Sequence, residues 1–141
     1  MNTPKHYDFF ISGRWRNRDK VVALTHEIRK KGHSAYCFFE TLLSKERAKN
    51  DPEEEMKFFE KLDWRNDPYV KDIFTTDMEA EKNSDVFVML LPAGKSCHIE
   101  AGAAYGMGKK CILIGKQKEA ESLYLIFHEI YTSEADFLKT I

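Results

Sequence analysis

Glu100 stands in a stretch whose neighbours leave room for chemistry. In the run LPAGKSCHIEAGAAYGMGKKCILIG the glutamate is followed by Ala101, Gly102, Ala103 and Ala104, so the surface beside its carboxylate is nearly bare. Another molecule can approach it closely. An approachable carboxylate can attack an electrophilic carbon, stabilise a developing cation or hold sugar hydroxyls. Two quieter readings stay open: an acid in the first turn of a helix meets the helix dipole, and a small-residue helix packs tightly on a sheet. A second group lies near the N-terminus, where Arg14, Arg16 and Arg18 crowd the sequence SGRWRNRD. Guanidiniums at the carboxyl end of a strand, beside a helix N-terminus, make an anion site; a solvated basic patch is the alternative.

Flanking elements must hold these groups. Asp85–Leu91 is apolar and β-rich and is stopped by Pro92 and Gly94, the pattern of a buried strand. Ser96 is the expected N-cap of a helix that carries Glu100 in its first turn and stops at Gly106 and Gly108. Lys110–Gly115 returns as a strand. In such a βαβ unit ligands bind outside the carboxyl ends of the strands. Upstream, Tyr7–Ile11 reads as a first strand ending in Ser12-Gly13, Lys20–Lys31 as a helix closed by Gly32, and Ser34–Phe39 as a second strand.

The middle of the chain says less. Pro52 and Asp67-Pro68 open two helices, the second with Tyr69, Ile73 and Phe74 as its buried stripe. Trp64, between them, reads as a packing anchor or dimer contact, and Glu40 to Ser84 as a candidate lid. A loop and short helix follow Gly115, then Glu129–Ser133 as a last strand and Glu134–Ile141 as a terminal helix capped by Ser133. Five strands interleaved with helices predict one α/β domain over residues 1–141. Its expected form is an open, mainly parallel five-stranded sheet with helices on both faces, flavodoxin- or Rossmann-like.

Composition narrows the function. A net charge of −1 gives no basic field for nucleic acid, and no apolar stretch is long enough to span a membrane. The N-terminal stretch MNTPKHYDFF lacks the apolar region of a signal peptide. Cys37, Cys97 and Cys111 are odd in number and widely spaced, with no zinc-ligand pattern, so free thiols in a reducing, cytoplasmic compartment are expected.

The long run around Glu100 resembles the signature of the nucleoside 2-deoxyribosyltransferase family, including its branch of deoxynucleoside 5′-monophosphate N-glycosidases. There a glutamate opens a Gly/Ala-rich helix and a Gly-Lys precedes the next strand. The likeness extends more weakly over the whole chain. It implies cleavage of an N-glycosidic bond, with Glu100 as the nucleophile that captures C1′. It also implies an active-site role for Asp77, eight residues before Asp85, in contacting the sugar or placing the reacting groups. On position alone Asp77 would be an exposed helix residue or a local cap. The same resemblance implies substrate contacts from the loop after the first strand (Ser12, Gly13, Arg14, Arg16) and from the loop holding Gly94 and Ser96.

Departures bear on the substrate. Transferase members often carry an acid six residues before the nucleophile, where this chain has Gly94, and some carry a tyrosine where it offers Phe9 and Phe10. Together with the arginines these favour a phosphorylated substrate. A helix N-terminus around Glu100 is expected to keep it ionised at neutral pH. His98 is turned about 200° from Glu100 around the helix and is not expected to pair with it. The expected partners are a small-molecule nucleoside or nucleotide and, by the resemblance, a second copy of the chain in a homodimer or higher oligomer. No metal and no organic cofactor is implied. Two alternatives remain: a glutamate-dependent NAD glycohydrolase of the Toll/interleukin-1-receptor-like type, and a non-catalytic nucleotide-binding module.

Overall fold

Strand alternation builds two buried layers, one on each face of a single sheet. The computed structural model describes residues 5–45 and 50–141; the first residues of the N-terminal stretch and the ERAK part of the candidate lid lie outside the described residues. In chain order the elements are β1 (Tyr7–Ser12), α1 (Arg18–Lys30), β2 (Ala35–Cys37), α2 (Leu42–Lys45), α3 (Pro52–Lys61) and α4 (Pro68–Lys82). Then come β3 (Ser84–Leu90), α5 (Lys95–Gly106), β4 (Lys110–Ile114), β5 (Glu129–Tyr131) and α6 (Glu134–Leu138). The strands lie in the order β2-β1-β3-β4-β5, every pairing parallel. This is the expected open α/β sheet, and its order reverses between β1 and β3. Such a reversal leaves a crevice at the carboxyl ends of the two strands.

Because successive side chains of a strand point to opposite faces, Phe9 and Ile11 join Val21, Leu24, Ile28 and Phe137 in a layer under α1 and α6. Phe10 faces the other way and packs with Phe87, Met89, Ala101, Ala104 and Leu113 under α4 and α5. The loop from β1 is pressed onto α1: a Cβ at Gly13 would lie 2.2 Å from Val21 Cγ2. Only glycine fits there. The long helices start where local chemistry dictates. The Asp51 carboxylate accepts from Glu53 N and the Asp67 carboxylate from Val70 N, each ahead of a proline at the first helical position. Ser133 caps α6 in the same way, as expected.

Three expectations about the chain need correction. The second strand stops at Cys37, because Phe38–Glu40 tightens into a 3-10 turn whose end is tied by Thr41 N and Ser44 Oγ to Phe38 O. The inward face of α4 does not run through Phe74, which is 66% exposed. It runs through half-buried Tyr69 and Ile73 and on through Asp77 to the buried Ala80 and Glu81. Trp64 is likewise exposed rather than a packing anchor, with the Arg65 guanidinium over its ring.

Candidate active site

The helix that follows β3 presents Cys97, Glu100, Ala101 and Ala104 on one stripe, the i, i+3, i+4, i+7 spacing of an inward face. Alternation along β1 puts Ser12 on the same face as Phe10, turned toward that stripe. The two meet: Ser12 Oγ donates to Glu100 Oε1 at 2.8 Å. A second carboxylate arrives from α4, where Asp77 accepts a hydrogen bond from Tyr36 Oη at 2.9 Å. Tyr36 is held in turn by stacking on Phe10, ring centroids 5.1 Å apart. Four elements thus converge at the carboxyl edge of the sheet, in the crevice between β1 and β3.

The electrostatics run against one expectation. Burial, then the charge of Asp77, pushes the Glu100 carboxyl up to about 8, with the Ser12 hydrogen bond opposing and Glu81 adding to the rise. The reason is geometric. Gly94, not Ser96, is the N-cap of α5, so Glu100 is the sixth residue of the helix and sits beyond the first turn. Distance from the amide dipoles leaves desolvation and like charge in command. Burial also lifts Asp77 to about 6, against the Tyr36 hydrogen bond. Tyr36 itself is raised far above the phenol range by burial and by Asp77, so it stays a donor.

The other expected contacts divide. Gly94 supplies the carbonyl that accepts from His98 Nδ1 at 2.7 Å, while Ser96 is exposed on the first turn. Arg14 lines a cleft of about 570 Å³ together with Leu91, Pro92, His98, Lys116 and Tyr124, beside the carboxyl ends of β3 and β4. Its Nε and the Gln117 Nε2 are buried with no hydrogen-bond acceptor among the described residues. Arg16 does not reach that cleft, being held by Glu53 of α3. Gly13 serves the close approach to Val21. His98 turns away from Glu100, as its angle on the helix requires, and its Nε2 lies 2.9 Å from Tyr124 Oη.

Two participants escaped the sequence reading. Tyr36 lies in a three-residue strand buried throughout, with no periodicity to mark it. Glu81 is only 1% exposed and lies one turn after Asp77 on α4. Its i, i+4 spacing from Asp77 was the available signal. A different set could hold a metal: ligand atoms of His6, Asp8 and Asp85 lie within 4.8 Å of one another, at the amino ends of β1 and β3, far along the strands from Glu100. Among the described residues no helix is long and apolar enough to cross a membrane.

No protein-family model matches the chain, and no curated protein matches it in sequence. Solved structures similar to this chain include two enzymes. A CMP N-glycosidase of Clostridium botulinum is 20% identical with a TM-score of 0.49, over 94% of this chain and 96% of that one. The 2-deoxyribosyltransferase of the psychrotolerant bacterium Bacillus psychrosaccharolyticus is 14% identical with a TM-score of 0.62, over 92% of this chain and 89% of that one. Sheet order and coverage together give this chain an α/β fold similar, over nearly its full length, to that of a 2-deoxyribosyltransferase.

Proposed function

We propose that the protein is a nucleoside 2-deoxyribosyltransferase-like enzyme that cleaves the N-glycosidic bond of a nucleoside or nucleoside 5′-monophosphate through Glu100. The observation that supports this most directly is the Ser12–Glu100 hydrogen bond in the crevice between β1 and β3, with Asp77 close enough for its charge to raise Glu100. The fold shared with a 2-deoxyribosyltransferase points the same way.

In the first step the C1′–N bond breaks as a Glu100 oxygen bonds to C1′. The electron pair of the broken bond goes to the departing base, which takes a proton. Asp77, raised to about 6, is the nearby group able to hold that proton. Forming the ester removes the negative charge of Glu100, so a site that resists carboxylate charge favours the capture. Water then attacks the glycosyl-enzyme to complete hydrolysis, or a second base attacks to complete transfer. Tyr36 and Ser12 keep the two carboxyls oriented. Attack needs Glu100 ionised and departure of the base needs Asp77 protonated, so kcat/KM is greatest between about pH 6 and about pH 8 and falls on either side.

Arg14 favours the phosphorylated substrate. Its unpartnered Nε, the Gln117 amide and the ammonium groups of Lys116 and Lys118 face one cleft next to Gly94, the reach a 5′-phosphate would need. Association into a dimer and a cytoplasmic setting belong to the same reading.

Base release, followed by chromatography for ribo- and deoxynucleosides, their 5′-monophosphates and NAD, is the direct test. Release by the wild type and its loss in folded Glu100→Gln are expected, with monophosphates preferred and that preference weakened in Arg14→Ala. Nicotinamide release alone would assign the site to NAD. Ligand-dependent stabilisation without release from any substrate would make the protein a binding module.

A further inference from the structure

Among the described residues, Glu81 is a buried carboxyl that neither the fold nor the chemistry above explains. Its side chain is 1% exposed, and no side-chain donor among the described residues pairs with its oxygens, the backbone of Ala104 on α5 only easing its charge. An ionised carboxylate in that setting is costly unless paired, and a packing role would be filled as well by leucine or methionine. Its surroundings are specific. Asp77 precedes it by one turn of α4; from α5 the Glu100 charge reaches it; Lys109, in the turn before β4, affects its charge and Cys111 of β4 feels it. Lys109 eases the charge only in part, since its ammonium donates to Lys82 O at 2.8 Å. Glu100, Asp77 and Glu81 are therefore three carboxyls within electrostatic reach of one another across α4 and α5.

We propose that Glu81 is a positioning residue for glycosidic cleavage, a buried, unpaired carboxyl one turn along α4 from Asp77 that acts on Glu100 through its charge. It touches neither sugar nor base. Its influence is electrostatic and runs through the low-dielectric contact between α4 and α5, where Ala80, Ala101 and Ala104 bring the helices close. Burial, then Asp77, raises Glu81 to about 7, and Glu81 in turn adds to the rise at Glu100. Protons are thereby shared among the three, and the apparent values belong to the set rather than to single residues. With Glu81 neutral, Glu100 ionises more readily; with Glu81 charged, the set retains a proton for the leaving base to higher pH.

The proposal rests on the glycosidase reading, and Glu81→Gln separates the two. This substitution keeps the shape and removes the ionisation. The limb set by Glu100 should move down by about half to one unit, so that kcat/KM below the optimum rises about three- to tenfold. A purely structural residue would lower activity without moving that limb. An unmoved limb in a folded variant would overturn the proposal while leaving Glu100 as the nucleophile. Carboxyl-carbon NMR titration of Glu100 in wild type and Glu81→Gln, with no substrate present, reads the same coupling without turnover. A lower Glu100 midpoint in the variant is expected there too, and an unchanged midpoint overturns the proposal even if no substrate is ever cleaved.

Discussion

The two faces of the sheet bury strand side chains from the same five strands yet do different work. Under α1 and α6 the layer is apolar and self-sufficient: Val21 and Ile28 are fully buried, and its buried hydroxyl, Thr25, donates to Val21 O at 2.7 Å. Under α4 and α5 the same alternation ends in Ser12, Tyr36 and three carboxyls, two of them tied to hydroxyl donors and one to none. The first face follows the rule that buried polar groups are paired. The second departs from it at Glu81, beside the carboxyls assigned to the proposed reaction. On the proposed reading, reactive carboxyls are thus grafted onto a scaffold that apolar layers on both faces stabilise.

Substitutions on the two faces should separate activity from stability. The largest effect belongs to Glu100→Gln, which on the proposed reading removes the nucleophile: kcat for base release should fall by about a thousandfold or more while the variant stays folded by circular dichroism. Asp77→Asn should lose roughly ten- to a hundredfold. On the other face Ile28→Ala opens a cavity between α1 and the sheet. Chemical denaturation should show a loss of about 2–4 kcal/mol with kcat of the folded fraction unchanged. A fall in kcat from that substitution would break the division between the faces.

The pH dependence of stability sharpens it. Below the ordinary carboxylate range Glu100, Asp77 and Glu81 are protonated in both the folded and unfolded chain. As pH rises the unfolded chain ionises first, because the folded values lie higher, at about 8, 6 and 7. Their contribution to stability therefore declines from about pH 5 to about pH 8. Thermal melts should show Tm falling across that window in the wild type. Glu100→Gln should flatten the fall and sit roughly 2–6 °C higher at pH 8. A wild-type melt that rises from pH 5 to 8, with no gain from Glu100→Gln, would show the three carboxyls to be ionised at no cost. Smallest of the set, Ser12→Ala removes a hydrogen bond that favours the ionised form of Glu100. The acid limb of the rate profile should climb by about half a unit, a roughly threefold loss at pH 7.

The sequence by itself determined the strand and helix order, the parallel sheet and the position of Glu100 at the carboxyl end of β3. Those follow from apolar runs, turn residues and caps, which act over a few neighbouring residues. The β1–α1 glycine was also legible, although its reason, the approach of Val21, was not. Only the tertiary structure decided what surrounds the glutamate. Ser12 and Glu100 are 88 residues apart and Tyr36 and Asp77 are 41 apart, so no local pattern marks either pair. The inward face of α4 was misread toward Phe74 because an aromatic signals burial more strongly than a glutamate, yet packing against the small residues of α5 buries Glu81 instead. The ionisation of Glu100 was misread for the same reason. A helix dipole is written into local sequence, whereas desolvation and the charge of Asp77 arise only when four distant elements close on one point.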